Sequence, residues 1–161
     1  MKTIESFKAP TILLICVSII FLSGCDSSTT NPDPPFIQGP ILLIGDQDDG
    51  AMSLIALESG AFIRDAAGLG INPNDIVEFE DLIYVINSGS DQLNVLRVLE
   101  NNTLEHDTII SLRDSNPMQG AVANDGKMYI SNLIAGTVTV YDTKNSQLLS
   151  NLFVGKSPDG V

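Results

Sequence analysis

From residue 37 to residue 161 the chain is a series of short apolar runs broken by Gly, Asn, Asp and Pro. Runs this short, bounded by turn formers and lacking helical spacing, predict strands. One run returns. Ile83-Tyr84-Val85-Ile86-Asn87-Ser88-Gly89-Ser90-Asp91-Gln92-Leu93-Asn94-Val95-Leu96 lies over Met128-Tyr129-Ile130-Ser131-Asn132-Leu133-Ile134-Ala135-Gly136-Thr137-Val138-Thr139-Val140-Tyr141 at a shift of 45 residues without a gap. The tyrosine, the asparagine and one valine are identical, and most apolar positions agree in kind. Pro73, Pro117 and Pro158 mark nearly the same period, standing 44 and 41 residues apart. A more worn copy precedes them, with residues 41–45 matching the Tyr84 strand and residues 51–57 matching the Val138 strand. Between these, Asp49-Gly50 predicts a tight hairpin with positive φ at both positions. Further strands are expected at 61–66, 108–112 and 147–154.

A period of 40–45 residues built from short strands is the signature of a propeller blade. Each four-stranded antiparallel sheet leaves apolar faces that only its neighbours can cover, so blades stack around an axis. The expected fold is therefore all-β, with about three four-stranded antiparallel blades of an incomplete propeller. The blades fall at about 40–70, 71–114 and 115–155, and a fourth begins over 156–161. The first blade starts at its second strand, because only residues 36–39 precede Pro40. Seven blades of this period would take roughly 300 residues. Two readings stand: the N-terminal part of a larger propeller, or a three-blade chain that completes a ring with a second copy.

The repeat resembles the YVTN-type β-propeller family. Met128-Tyr129-Ile130-Ser131-Asn132, then Gly136-Thr137-Val138-Thr139-Val140-Tyr141-Asp142-Thr143, then Val154-Gly155-Lys156-Ser157-Pro158-Asp159-Gly160-Val161 carry the likeness, and residues 83–90 repeat its start. It departs at Ser131 and Ile86, where the family has threonine or alanine. The resemblance implies blades and no particular activity.

The pattern of the first 24 residues differs. Lys2 and Lys8 precede an apolar, uncharged run of 12 residues, 11–22. That is short of the ~18–20 residues of a spanning helix and fits the apolar centre of an export signal. Leu22-Ser23-Gly24-Cys25 follows at once and resembles the lipobox of bacterial lipoproteins. The resemblance implies cleavage between Gly24 and Cys25, and acylation of the Cys25 thiol. Residues 1–24 are then a signal peptide, residues 25–36 a lipidated cysteine with a disordered Pro-rich tether, and residues 37–161 the partial propeller. Three acyl chains hold a protein to a membrane far better than one. Cys16 leaves with the leader, so the remaining Cys25 has no partner for an internal disulfide.

Charge narrows the partners. The whole chain carries −12, and losing Lys2, Lys8 and Glu5 leaves −13. Such a surface repels nucleic acid and anionic headgroups. The lipid on Cys25, not a basic patch, is the expected link to the membrane of the cell envelope.

Candidate chemistry is sparse. His106 is the single histidine and reads as a solvated loop residue ahead of a strand. With no second histidine and no free cysteine, zinc, copper or haem ligation is hard to build. Asp46-Gln47-Asp48-Asp49-Gly50 places glycine at the fifth position with no glutamate in register, unlike a calcium loop, and reads as a solvated hairpin tip. Asn101-Asn102-Thr103 fits a glycosylation sequon, discounted for a bacterial source. No catalytic residue, cofactor or metal site is expected. Two functions stay open: a binding or scaffold propeller with a protein or saccharide ligand on its face, and an enzyme of the lactonase or quinoprotein-like kind whose site needs loops from further blades.

Overall fold

The computed structural model describes residues 12–14, 39–100 and 103–161, and among these every regular element is a strand. The apolar runs are too short for helices and rich in β-branched residues, so backbone hydrogen bonds are satisfied between segments rather than within them. Strands β1 (Ile12–Leu14), β2 (Ile41–Asp46), β3 (Ala51–Ala56) and β4 (Phe62–Gly68) form one sheet in that order. A second contains β5 (Pro73–Phe79), β6 (Leu82–Asn87), β7 (Gln92–Val98) and β8 (Leu104–Ser111). The third contains β9 (Pro117–Val122), β10 (Lys127–Asn132), β11 (Thr137–Asp142) and β12 (Gln147–Phe153). Every pairing is antiparallel except β1 with β2. These are three propeller blades, with sequence order running from inner to outer strand.

The 45-residue shift holds strand for strand, since β6 maps onto β10 and the start of β7 onto that of β11. Because side chains alternate across a strand, each blade has one face toward the next blade and one toward the preceding blade. We call these the onward and trailing faces. On the onward face of the second blade lie Tyr84, Ile86, Leu93 and Val95, packed with Met128, Ile130 and Tyr141 of the third. On its trailing face lie Ile83, Val85 and Leu96, packed with Ile41, Leu43, Met52 and Leu54 of the first. All of these are buried. The core is thus a pair of seams between blades. The Tyr84 and Tyr141 rings meet edge to face across one seam, 6.2 Å apart, a favoured aromatic geometry.

The central hairpins share one device. The N–H groups of Leu69, Leu112 and Val154 donate to the carbonyls of Gly50, Asp91 and Gly136. Those acceptors have φ of 60°, 51° and 67°. Glycine adopts this region freely, and Asp is among the few other residues that tolerate it. The tight turn expected with positive φ at both Asp49 and Gly50 is corrected. Gly50 N–H closes back onto the Asp46 carbonyl across a four-residue loop, and of the two residues only Gly50 has positive φ.

Four further expectations change. The strand expected at 108–112 is β8, which begins at Leu104. His106 is therefore within a strand and not a loop. An outer strand is wetted, so Glu105-His106-Asp107 lies exposed in it and gives no apolar signal. Residues 154–161 form no strand, although Gly160 lies beside the Gln119 side chain of β9. The innermost place of the first blade, expected to be vacant, is taken by β1, which runs parallel where the repeat has an antiparallel first strand. The remainder of the 1–24 leader, the Gly24-Cys25 junction and the 25–36 tether lie outside the described residues.

Candidate functional site at the hairpin end of the blades

Loops from all three blades meet at the end where the central hairpins turn, and the repeated asparagine organises it. Asn87 closes β6 and Asn132 closes β10, and both are fully buried. A buried amide must satisfy its donors and its acceptor, or cost free energy. The Asn87 Nδ2 group donates to the Val85 carbonyl at 3.0 Å and to Asn94 Oδ1 at 3.2 Å, with a longer contact to the Gln92 carbonyl. Its Oδ1 accepts from the backbone N–H of Gly70 at 3.2 Å. That bond depends on the missing side chain. A Cβ on Gly70 would stand 2.9 Å from Asn87 Cβ and 2.1 Å from Ser90 Oγ, so only glycine lets the linker lie this low.

The same linker in the third blade is built otherwise. Asp114, 44 residues on from Gly70, carries a side chain and takes a positive φ of 56°. Asn132 Nδ2 donates to Thr137 and Thr139 Oγ1 at 3.0 and 2.8 Å, and Thr139 Oγ1 donates to Asn151. Asn132 Oδ1 is left buried without a protein partner. The linker before β9 is held instead from the second blade. Asp91 Oδ1 accepts the Asn116 N–H at 2.7 Å, and Asn116 Nδ2 donates to the Ser88 carbonyl at 3.3 Å. Nearer the axis, Asp75 Oδ2 accepts the Gly120 N–H at 2.9 Å. These bonds lock the second and third blades together at this end.

Between the first two blades the same end holds an open depression of about 320 Å³. Its walls include Gln47, Asp48, Asp49, Gly70, Ser90 and Gln92. Asp46 Oδ1 accepts from the N–H groups of Asp48 and Asp49, which shapes the tip. Arg64 lies 3.8 Å from Asp49, an exposed pair of small energetic weight. Carboxylates, amides and a hydroxyl line the depression beside the apolar side chains of Leu69 and Ile71, so it offers hydrogen bonds to hydroxyl, amide or ammonium groups next to an apolar wall and repels anions.

Reactive machinery does not converge here. Among the described residues no three of His, Cys, Asp and Glu come together as a metal site. His106 is far out on β8, and its Nε2 is 2.8 Å from the Gly68 carbonyl of the preceding blade. It links two outer strands. The shifted acids have local causes. A side-chain hydrogen bond from Lys127 holds the Asp125 carboxyl below its usual range, and one from Asn145 does the same to Asp142. Burial raises Tyr141 and pushes Tyr84 up to about 12. Gly24 and Cys25 lie outside the described residues. Sequence reasoning saw the asparagine as a repeat marker and missed its partnership with Gly70, because the two are joined only by the fold.

No family model matches the chain, and no curated protein does. Solved structures do. The hydrazine synthase of Kuenenia stuttgartiensis aligns at a TM-score of 0.64 and 15% identity, over 86% of this chain and 42% of that one. A protein from Lactobacillus plantarum aligns at 0.54 and 16%, over 68% of this chain and 36% of that one. Apo AztD from Citrobacter koseri aligns at 0.50 and 21%, over 74% of this chain and 36% of that one. At such identities the likeness establishes the propeller fold alone. The chain spans less than half the length of each.

Proposed function

We propose that this chain is a lipid-anchored propeller of the bacterial cell envelope, acting as a binding or scaffold module, with blades of the YVTN kind. The observation that carries the anchor is Leu22-Ser23-Gly24-Cys25 set directly behind a 12-residue apolar run and ahead of a Pro-rich tether. Cleavage after Gly24 removes β1 with the leader, so that the first blade of the mature protein keeps β2, β3 and β4. It leaves Cys25 as the first residue, whose thiol takes the lipid. The tether, spanning ~30 Å at most if extended, holds the blades off the bilayer. The hairpin end offers hydrogen-bonding groups to a protein or saccharide ligand. That open depression supports binding, whereas the lactonase or quinoprotein-like alternative needs loops from further blades.

Two measurements test this reading. Metabolic labelling with a palmitate analogue should label the wild type and leave Cys25→Ala unlabelled and released from membranes. Equal membrane retention of both would reject the anchor. For the binding role, neutral glycans and peptides should protect the depression from carbodiimide modification at Asp48 and Asp49. Turnover of a lactone by the purified chain would instead establish the enzyme.

A further inference from the structure

The two seams finish differently at the hairpin end, and the difference makes the depression. At the second seam Asp91 closes the gap. Its backbone carbonyl holds the Leu112 N–H while its side chain holds that of Asn116. The residue in that role at the first seam is Gly50, whose carbonyl holds the Leu69 N–H. It has no side chain to reach the linker, and a Cβ there would stand 3.0 Å from the Gly70 carbonyl. The place that Asp91 fills in one seam is therefore open in the other, as a depression of about 320 Å³. Ligand pockets run from about 300 to 1,000 Å³, so this one suits a single long side chain better than an extended molecule.

Bonds within the walls fix what they still offer. Gln47 Nε2 donates to the Pro73 carbonyl at 3.4 Å, so its amide oxygen remains to accept. Ser90 Oγ accepts the Ile71 N–H at 3.2 Å, so its hydroxyl proton remains to donate. Asp49 has Arg64 at 3.8 Å, whereas among the described residues no ion pair engages the Asp48 carboxylate. Leu69 and Ile71 add an apolar strip, and Ile71 is 62% exposed. The set includes a charged acceptor, a neutral acceptor, a hydroxyl donor and an alkyl surface.

We propose that the depression receives a basic side chain, lysine or arginine, of a protein partner. This rests on the reading of the hairpin end as a binding surface, and within it chooses protein over saccharide. A cationic head has donors and no acceptor, which matches Asp48 and the Gln47 oxygen. Its hydrogen bonds to a carboxylate are charge-assisted and about twice as strong as neutral ones. The alkyl stem of such a side chain lies along apolar surface while the head stays in water, which matches Leu69 and Ile71. A main-chain carbonyl of the partner, beside the basic residue, accepts from Ser90. A neutral saccharide supplies no charge for Asp48. The net charge of −12 also draws a basic partner toward the molecule.

The test maps amide chemical shifts of the full chain in mild detergent. Its probes are three end-blocked pentapeptides, Gly-Gly-Lys-Gly-Gly and the same with norleucine or acetyl-lysine at the centre. The lysine peptide should shift the Asp48, Ile71 and Ser90 resonances, and both uncharged peptides should bind about 10-fold more weakly. Asp48→Asn, at an exposed hairpin tip, should weaken the lysine peptide by the same factor and leave the norleucine peptide unchanged. Ile71→Ser should weaken both. Equal affinity for lysine and norleucine, or full affinity of Asp48→Asn for lysine, overturns the basic side chain and leaves the binding surface standing. So does maltohexaose binding there when the lysine peptide does not. No shift with any of these probes overturns the binding surface and this proposal together. Amide spectra of the variants as dispersed as the wild type separate lost binding from lost fold.

Discussion

The second and third blades are the same repeat in two situations. Their strands share one register, and each places a tyrosine early in its second strand and a buried asparagine at its end. Tyr84 is covered by the next blade and 1% exposed, while Tyr129 is only half-buried. Asn87 has every polar group satisfied within the fold, while Asn132 keeps an orphaned Oδ1. The difference teaches where blade stability comes from. Hydrogen-bonded pairing forms each sheet alone, but burial of the large side chains, the larger stabilising effect, comes from the neighbour.

The sharpest way to break this comparison is to truncate both tyrosines. Tyr84→Ala empties the centre of a seam and should cost about 3–5 kcal/mol in urea unfolding. Tyr129→Ala should cost less than about 1 kcal/mol. Equal costs would mean that the tyrosines work within their own sheets, and the neighbour account would fail.

A smaller contrast lies in the linkers. Gly70→Ala forces a methyl to 2.9 Å from Asn87 Cβ. Ser90 can rotate away, but Asn87 is fixed by its hydrogen bonds, so the linker must lift and lose the Gly70 N–H donor. The expected cost is about 1–3 kcal/mol. Asp114→Asn keeps a residue that tolerates the φ of 56°, touches no such contact and should stay within about 0.5 kcal/mol. Thermal unfolding of the two variants decides it. A Gly70→Ala variant as stable as the wild type would show that the Asn87 bond is dispensable.

The period and the faces were legible in the sequence because the apolar residues that fill each seam recur at fixed spacing. Tyr84, Leu93 and Val95 announced their counterparts Tyr129, Val138 and Val140 without any structure. The outer strand β8 was only half legible, since Glu105 and His106 are wetted and carry no apolar signal. Turn geometry was misread at Asp49-Gly50, where the loop is four residues long and reverses only at the last. The hairpin-end network was invisible because Gly70 and Asn87, or Asp91 and Asn116, meet through tertiary packing. Nothing in local composition distinguishes Asp91, which caps the next linker, from an ordinary turn aspartate.

The mildest expected effect is on pH dependence, and it also separates the two blades. Burial pushes the Tyr84 hydroxyl up to about 12, with charge repulsion from the neighbouring Tyr141 hydroxyl as the next cause. A tyrosine in the unfolded chain titrates near 10. The folded state therefore keeps its proton where the unfolded state has lost it, and rising pH favours unfolding. The contribution of Tyr84 is complete below pH 10 and is lost progressively as pH climbs toward 12. By pH 11 the loss should be on the order of 1 kcal/mol. Tyr84→Phe keeps the ring in the seam and removes the titration, so its stability should fall less steeply above pH 10 than that of the wild type. Tyr141 is raised by burial as well, so Tyr141→Phe should flatten the same limb, and the double variant should flatten it most. Parallel slopes in wild type and Tyr84→Phe would show that the hydroxyl is wetted in solution and the seam open, which the packing of Tyr84 beneath Met128 and Ile130 forbids.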